Sequence, residues 1–463
     1  MSRAARASLL AICLAACADD ARRPETPPPQ EPTLVITNVT VVDVDSGRLV
    51  PDRTVIVRGT RIAAVGEASL TPLPANAVVV DGSGRFLIPG LWDFHVHALF
   101  DPEAARTFLP RFVAAGVTGV RDMGGSLGVL RAVRWAMLAG TMVGPRLVAA
   151  GAVLDGPEPV DPSVSFAVGD SADASAALDS LVRAGADFVK VYTLLPREAY
   201  FVVLREAHRR GLQVVGHVPI GVSVREAVDS GQRTIEHLRD EVGQLCMSAA
   251  DQSCSSLLDT LRARGTWLVP TLVVLRVKAI LDDTSLVLDP RLQTMPDLVR
   301  SGWDGVRERA RERPAGYWPE RRARFFGDLE LTGAAWRAGV PLLAGTDAGA
   351  LYTYPGSSLH DELVQLVRAG LTPAAALRAA TLGPAEFLGA TDSLGTVAAG
   401  KVADLVLLDA DPLADIGNTR RITAVVLNGR LLARPALDSL AASGASAARP
   451  TPRRDSTGVE GVR

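Results

Sequence analysis

The segment LIPGLWDFHVHALF, residues 87–100, closes an apolar run with Asp93, His95 and His97 on alternate positions. In extended chain, side chains two apart share a face, so one carboxylate and two imidazoles are aimed the same way. A single histidine ending a buried strand is more often a hydrogen-bonded core residue. Two at this spacing argue equally for metal, because neutral imidazole is the commonest metal ligand. The chain has six histidines, and two more end apolar runs: His217 in VVGHVP and His237 in TIEHL. His208 sits among the helix-surface charges of REAHRRG and reads as structural, whereas His360, in SSLHDEL, begins a helix and is expected to reach the same mouth.

Lysine is rarer still, with only Lys190, Lys278 and Lys401 against a large excess of arginine. Lys190 lies in DFVKVYT, at the end of an apolar strand, where an ammonium is costly unless paired or neutral. A buried salt bridge would satisfy it. A neutral amine could instead take up CO₂ and become a carbamate, an anion able to bridge two metal ions. The run PLLAGTDAG presents Asp347, a carboxylate that can ligate metal and carry a proton in turn. Imidazole and carboxylate without thiolate suit zinc, with manganese, cobalt or iron as alternatives. Tyr192 shares the face of Lys190 and is expected to project toward substrate. Arg121 and Asp122, ending the GVRD strand, are expected to support the rim, with Arg121 a candidate substrate contact.

These residues need elements that bring strand ends together. From residue 90 the pattern is strand then helix, repeated, with strands expected at 87–98, 117–122, 146–150, 188–193, 214–218, 234–238, 267–272 and 341–347. Helix-like runs such as ASAALDSLVRAG separate them, several closed by glycine. Eight such repeats over ~260 residues predict an α/β fold of the (β/α)₈ TIM-barrel type, whose chemistry gathers at the C-terminal ends of its strands. An open doubly wound sheet fits less well, since no glycine-rich phosphate loop follows the first strand. Residues 273–340 form a long interval expected to build helices beside the mouth. Short β-branched runs at 33–88 and 391–435 predict a small β-sandwich composed from both ends of the chain, flanking a barrel at 89–390.

With 49 basic and 51 acidic residues the net charge is −2, which gives nucleic acid no basic surface to bind. The partner expected is a small molecule; self-association into a homo-oligomer is left open. MSRAARASLLAICLAACADD has basic residues before a short apolar core, the pattern of an export signal over residues 1–17. Leu14-Ala15-Ala16-Cys17 resembles the lipobox of bacterial lipoproteins, implying a lipidated Cys17, a membrane-anchored protein and a bacterial cell-envelope location. A Pro-rich linker follows at 18–32, and residues 436–463 read as a disordered tail. Cys246 and Cys254 could form a disulfide or stay reduced.

Taken together, His95-x-His97, Lys190, His217, His237 and Asp347 resemble the amidohydrolase superfamily. PGLWDFHVH, GVTGVRDMGG, GTDAG and GKVADLVLLDADPL are similar to its imidazolonepropionase-like and Xaa-Pro dipeptidase (prolidase) branch. The resemblance implies two divalent metal ions, with His95, His97 and Asp347 on the first, His217 and His237 on the second, and carbamylated Lys190 between them. It implies Asp347 as the proton carrier. A bridging lysine favours hydrolysis of an amide in dipeptides, Xaa-Pro among them, or in N-acyl amino acids. Alternatives are a cyclic-amide or lactone hydrolase on the same site and, more remotely, a non-catalytic surface binding protein.

Overall fold

The computed structural model describes residues 33–238, 246, 252–314 and 316–443. The export signal with Cys17, the Pro-rich linker and the end of the tail lie outside these residues. Alternating β-branched residues make five strands at the start: β1 (Thr33–Asp43), β2 (Arg48–Arg58), β3 (Arg61–Glu67), β4 (Val78–Asp81) and β5 (Phe86–Pro89). Then come β6 (Leu91–Val96), β7 (Val117–Asp122), β8 (Arg146–Ala149), β9 (Val153–Asp155), β10 (Ser165–Ala167), β11 (Val189–Val191), β12 (Val214–Gly216), β13 (Thr234–Glu236) and β14 (Trp267–Val269). The chain closes with β15 (Leu405–Leu408), β16 (Ile422–Leu427) and β17 (Arg430–Ala433).

Strands from the two ends share one sheet in the order β17-β16-β15-β5-β1-β2-β3, with β4 beside β1. Its apolar face buries Leu34, Ile36, Val55, Val57, Leu87, Leu405 and Val426 in a core of its own. The middle of the chain is α/β: helices alternate with two parallel sheets, β6-β7-β8 and β10-β9-β11-β12-β13-β14. Backbone bonds from Leu343 N to Leu268 O and from Phe94 N to Ala344 O set residues 341–348 between β14 and β6. Another, from Asp187 N to Ala149 O, ties β8 to the approach to β11. Trp92, Phe94, Met123, Val215, Val269 and Leu343 from these strands pack into one apolar cluster.

Several expectations change in detail. The strand expected at 87–98 breaks at Gly90, whose N–H donates to Asp404 O and whose missing Cβ leaves room for Thr118 Oγ1. Residues 86–89 thereby serve the terminal sheet and 91–96 the parallel one. The strand expected at 341–347 forms no ladder and makes only isolated bridges at Leu342 and, just beyond it, Ala348. β9 and β10 were not among the expected strands. The start of the expected tail is a helix, Arg434–Ala441, with Pro435 in its first turn and Leu437 fully buried. Cys246 and Cys254 are joined in a disulfide. Residues 273–340 are helical as expected, chiefly Asp297–Arg311 and Tyr317–Arg337. No helix among the described residues is long and apolar enough to cross a membrane.

Gly119 of β7 lets the Trp92 ring of β6 lie flat across the sheet, since a Cβ there would stand 2.2 Å from Trp92 Cε2. Gly119→Ala should therefore cost about 1–3 kcal/mol through overpacking. Urea unfolding monitored by tryptophan fluorescence reads this as a lowered midpoint, and an unchanged midpoint would refute the packing argument.

Candidate metal centre

His95 and Glu236 lie in β6 and β13, and His97, His217, His237 and Asp347 immediately follow strands or strand-like segments, so parallel strands deliver all of them to one end. Four histidines, Lys190, Tyr192 and Asp347 line a single cavity of about 340 Å³. His95 Nε2 and His97 Nε2 stand 3.5 and 3.2 Å from Asp347 Oδ1. Each of the three offers one ligand atom within 4.8 Å of the others. The rings of His217 and His237 are 5.2 Å apart, and that of His237 is 4.6 Å from His95. Lys190 is only 1% exposed, its Nζ 5.6 Å from the Tyr192 ring centre, and Tyr192 stacks on His217 at 4.2 Å.

The imidazoles are oriented from behind. Nδ1 of His95 is 2.8 Å from Glu236 Oε2, that of His97 3.3 Å from Gly124 O, that of His217 2.8 Å from Thr193 Oγ1, and that of His237 2.7 Å from Thr271 Oγ1. Occupying every Nδ1 leaves every Nε2 for the cavity, the arrangement that outer partners impose on metal-bound histidine. Nε2 of His95 and of His217 is buried without a hydrogen-bond partner. A buried ring nitrogen normally has one, and a divalent cation would supply it. Three residues here hold left-handed backbone: Asp347 at φ 62°, His237 at φ 54° and Thr271 at φ 49°. Such strain in residues with a Cβ gathers where a site over-determines geometry.

Burial disfavours the imidazolium and takes His95 down to about 4 despite Glu236, and it holds His217 and His237 well below the ordinary value. All three are neutral near pH 7, as ligation requires. His97 is the exception: burial works against its charged form, but the hydrogen bond to Asp347 prevails and raises it. Asp347, which burial alone would raise, is held well below the usual carboxylate range by the same bond and by the surrounding histidines. Burial likewise opposes ionisation of Glu236, but Arg121 and His95 keep its carboxylate charged.

Two expected substrate contacts lie elsewhere. Arg121 is fully buried, its Nε donating to Phe94 O and its Nη2 2.7 Å from Glu236 Oε1, so it braces the carboxylate behind His95. It carries no free face because that salt bridge and three phenylalanine rings, nearest Phe94 at 4.5 Å, enclose it. His360 does not reach the mouth. Its ring nitrogens meet Thr419 Oγ1 at 2.9 Å and Ala115 O at 3.0 Å, which lock its helix, Ser357–Arg368, to other parts of the fold. Asp122 is also buried, accepting from Ala98 N and Leu99 N and thus holding the turn after His97.

Glu236, Thr193 and Thr271 were not expected. Glu236 directly precedes His237, and both face one cavity because left-handed backbone at His237 breaks the strand alternation that would have set them on opposite sides. The threonines give no sequence signal. Lys278, half-buried on the helix Leu272–Ala279, also lines the cavity.

The profile of the amidohydrolase family matches residues 86–432. An imidazolonepropionase of Rubrobacter xylanophilus is 28% identical over 82% of this chain and 90% of its own length. A structure from Bifidobacterium longum, provisionally described as a prolidase, superposes with a TM-score of 0.71 at 25% identity, covering 90% of this chain and all of that one. A bottromycin amidohydrolase gives 0.72 at 27% identity, covering 90% of each chain.

Glu236→Gln keeps the size but removes the charge that orients His95 and pairs with Arg121. Metal affinity should fall roughly 10- to 100-fold, the usual consequence of losing such an outer partner. Titration of the metal-free protein with zinc against a chromophoric chelator measures this, and wild-type affinity would rule out the bracing role.

Proposed function

Since this chain belongs to the amidohydrolase family, whose members with imidazolonepropionase and prolidase descriptions resemble it along most of its length, we propose a specific reading within that hydrolytic, carbon–nitrogen-cleaving chemistry. The protein is a binuclear metal-dependent hydrolase of the amide bond in dipeptides, Xaa-Pro among them, or in N-acyl amino acids. One observation carries this: four imidazoles presenting Nε2 to a cavity that also holds buried Asp347 and Lys190. His95, His97 and Asp347 would hold one ion, His217 and His237 a second, and Lys190 as its carbamate would join them. The β6–β14 strands with residues 341–348 would close as a (β/α)₈ barrel, with the terminal sheet as part of a composite β-sandwich.

Divalent metal, zinc by the chemistry of these donors, supplies an activated water and polarises the scissile carbonyl. The remaining work belongs to the chain. Asp347 Oδ1, ionised beside His97, accepts the proton of the attacking water and returns it to the leaving nitrogen. Tyr192, stacked on His217, walls the cavity where the substrate lies. Glu236 keeps His95 in one tautomer throughout. A cyclic-amide hydrolase is the second reading, favoured by the imidazolonepropionase likeness; the buried Lys190 favours the first. For location, an export signal with a lipidated Cys17 is supported by the Cys246–Cys254 disulfide, a bond that persists in oxidising compartments.

Asp347→Asn should lower kcat by about 10²–10⁴-fold, the size expected for losing a general base. Lys190→Ala should lose one of two bound ions and the carbamate signal that ¹³C-bicarbonate gives by NMR in the wild type. Elemental analysis finding a single ion per chain in untreated wild type would sink the binuclear reading. For the anchor, radiolabelled palmitate should enter the wild type expressed in a bacterial host but not Cys17→Ser; equal labelling would refute it.

A further inference from the structure

Lys278 stands apart from the chain's habit of using arginine for positive charge. It lies seven residues after Thr271, two turns along the helix Leu272–Ala279, so both fall on one helical face with Leu275 between them. Thr271 holds His237, and Leu275 and Lys278 line the cavity. Glu362 fixes that helix by accepting from Leu272 N at 3.0 Å and Val273 N at 2.7 Å. The ammonium is thus carried on a rigid support tied to a histidine of the site.

The same residue also borders a second lobe of about 390 Å³, which shares His97, Tyr192 and Asp347 with the first and is lined further out by Phe100, Val153 and Val164. A molecule passing Asp347 would place one part in the histidine-lined lobe and one against this apolar wall, with Lys278 at the junction. Among the described residues Lys278 has no hydrogen bond or ion pair. A half-exposed ammonium facing a cavity keeps its water until an anion replaces it with a charge-assisted hydrogen bond. The carboxylates that line these lobes with it are engaged elsewhere, Asp347 by His97, Glu236 by Arg121 and Asp161 by Ser163.

We propose that Lys278 is a specificity-determining residue that binds the free carboxylate of the substrate's amino-acid half and so selects acids over their amides. This rests on the amide-hydrolase reading, and deepens it by assigning the charge that substrates must carry. The carboxylate would displace water from the ammonium, and its geometry would set the scissile carbonyl beside Asp347.

The test compares N-acetyl-leucine with N-acetyl-leucinamide on the metal-loaded enzyme, with Lys278→Met and Lys278→Arg as variants. Removing one charge-assisted contact should cut the acid-over-amide ratio of kcat/KM roughly 10- to 100-fold in Lys278→Met, mostly through KM. Lys278→Arg should restore most of it, and metal content should match wild type in both. An unchanged ratio, or equal loss on acid and amide, overturns the proposal. Calorimetric binding of the same pair separates the two readings. Acid-selective binding that depends on Lys278 without any turnover would refute the hydrolytic reading alone, whereas equal binding of acid and amide by wild type would refute the role of Lys278 alone.

Discussion

Four imidazoles can present the same nitrogen to one small space only if each is gripped by its other nitrogen from outside. This constraint organises the centre. The grips differ in kind: the Glu236 carboxylate, the Gly124 carbonyl, and the hydroxyls of Thr193 and Thr271. The Glu236 grip is the costliest, because it buries a charge, and charge without partners in the interior costs several kcal/mol. Arg121 answers it at 2.7 Å, and the arginine is in turn satisfied by Phe94 O and the face of the Phe94 ring. The result is a buried chain from Arg121 through Glu236 to His95 in which each member leaves the next unpaired if removed.

The fold provides this economically because parallel strands end at one level. Residues adjacent in neighbouring strands, such as Lys190 paired with Val215 and Ile235 with Leu268, bring the following polar residues side by side. Asp93 does the same beneath the cavity by accepting from Thr346 Oγ1 at 2.6 Å, which fixes the turn carrying Asp347. Left-handed backbone at His237, Thr271 and Asp347 then turns the chain sharply at the places where ligand groups must face inward. The strain is tolerated because each of these residues is tied by hydrogen bonds from at least one neighbouring segment.

Electrostatics within the cavity divides the imidazoles by partner. Burial holds His217 and His237, each set against a threonine hydroxyl, well below the ordinary value, whereas the Asp347 carboxylate raises His97. Helices from residues 273–340 add Lys278 and Arg321 to the wall of the same cavity. Long intervals of this kind vary most readily between relatives sharing a fold, which suits them to choosing substrate rather than running the reaction.

Much of the centre was legible from residue type and spacing alone. Histidines two apart at a strand end, a scarce lysine in an apolar run and an aspartate after PLLAGT are local patterns, and local patterns survive without knowledge of the partner. The alternation of strand and helix was legible for the same reason. What the tertiary structure decided was everything that depends on which segments meet. Arg121 became a brace and His360 a clasp to Ala115 and Thr419, because their partners lie 115 and 59 residues away. Thr193 and Thr271 gained roles no spacing could reveal, since a hydroxyl orients an imidazole only when packing brings the two within hydrogen-bond reach. The sequence by itself determined which chemistry this chain could perform. Only the packing of strand against strand determined which nitrogen of each ring faces the cavity, because that choice belongs to contacts between residues far apart in the chain.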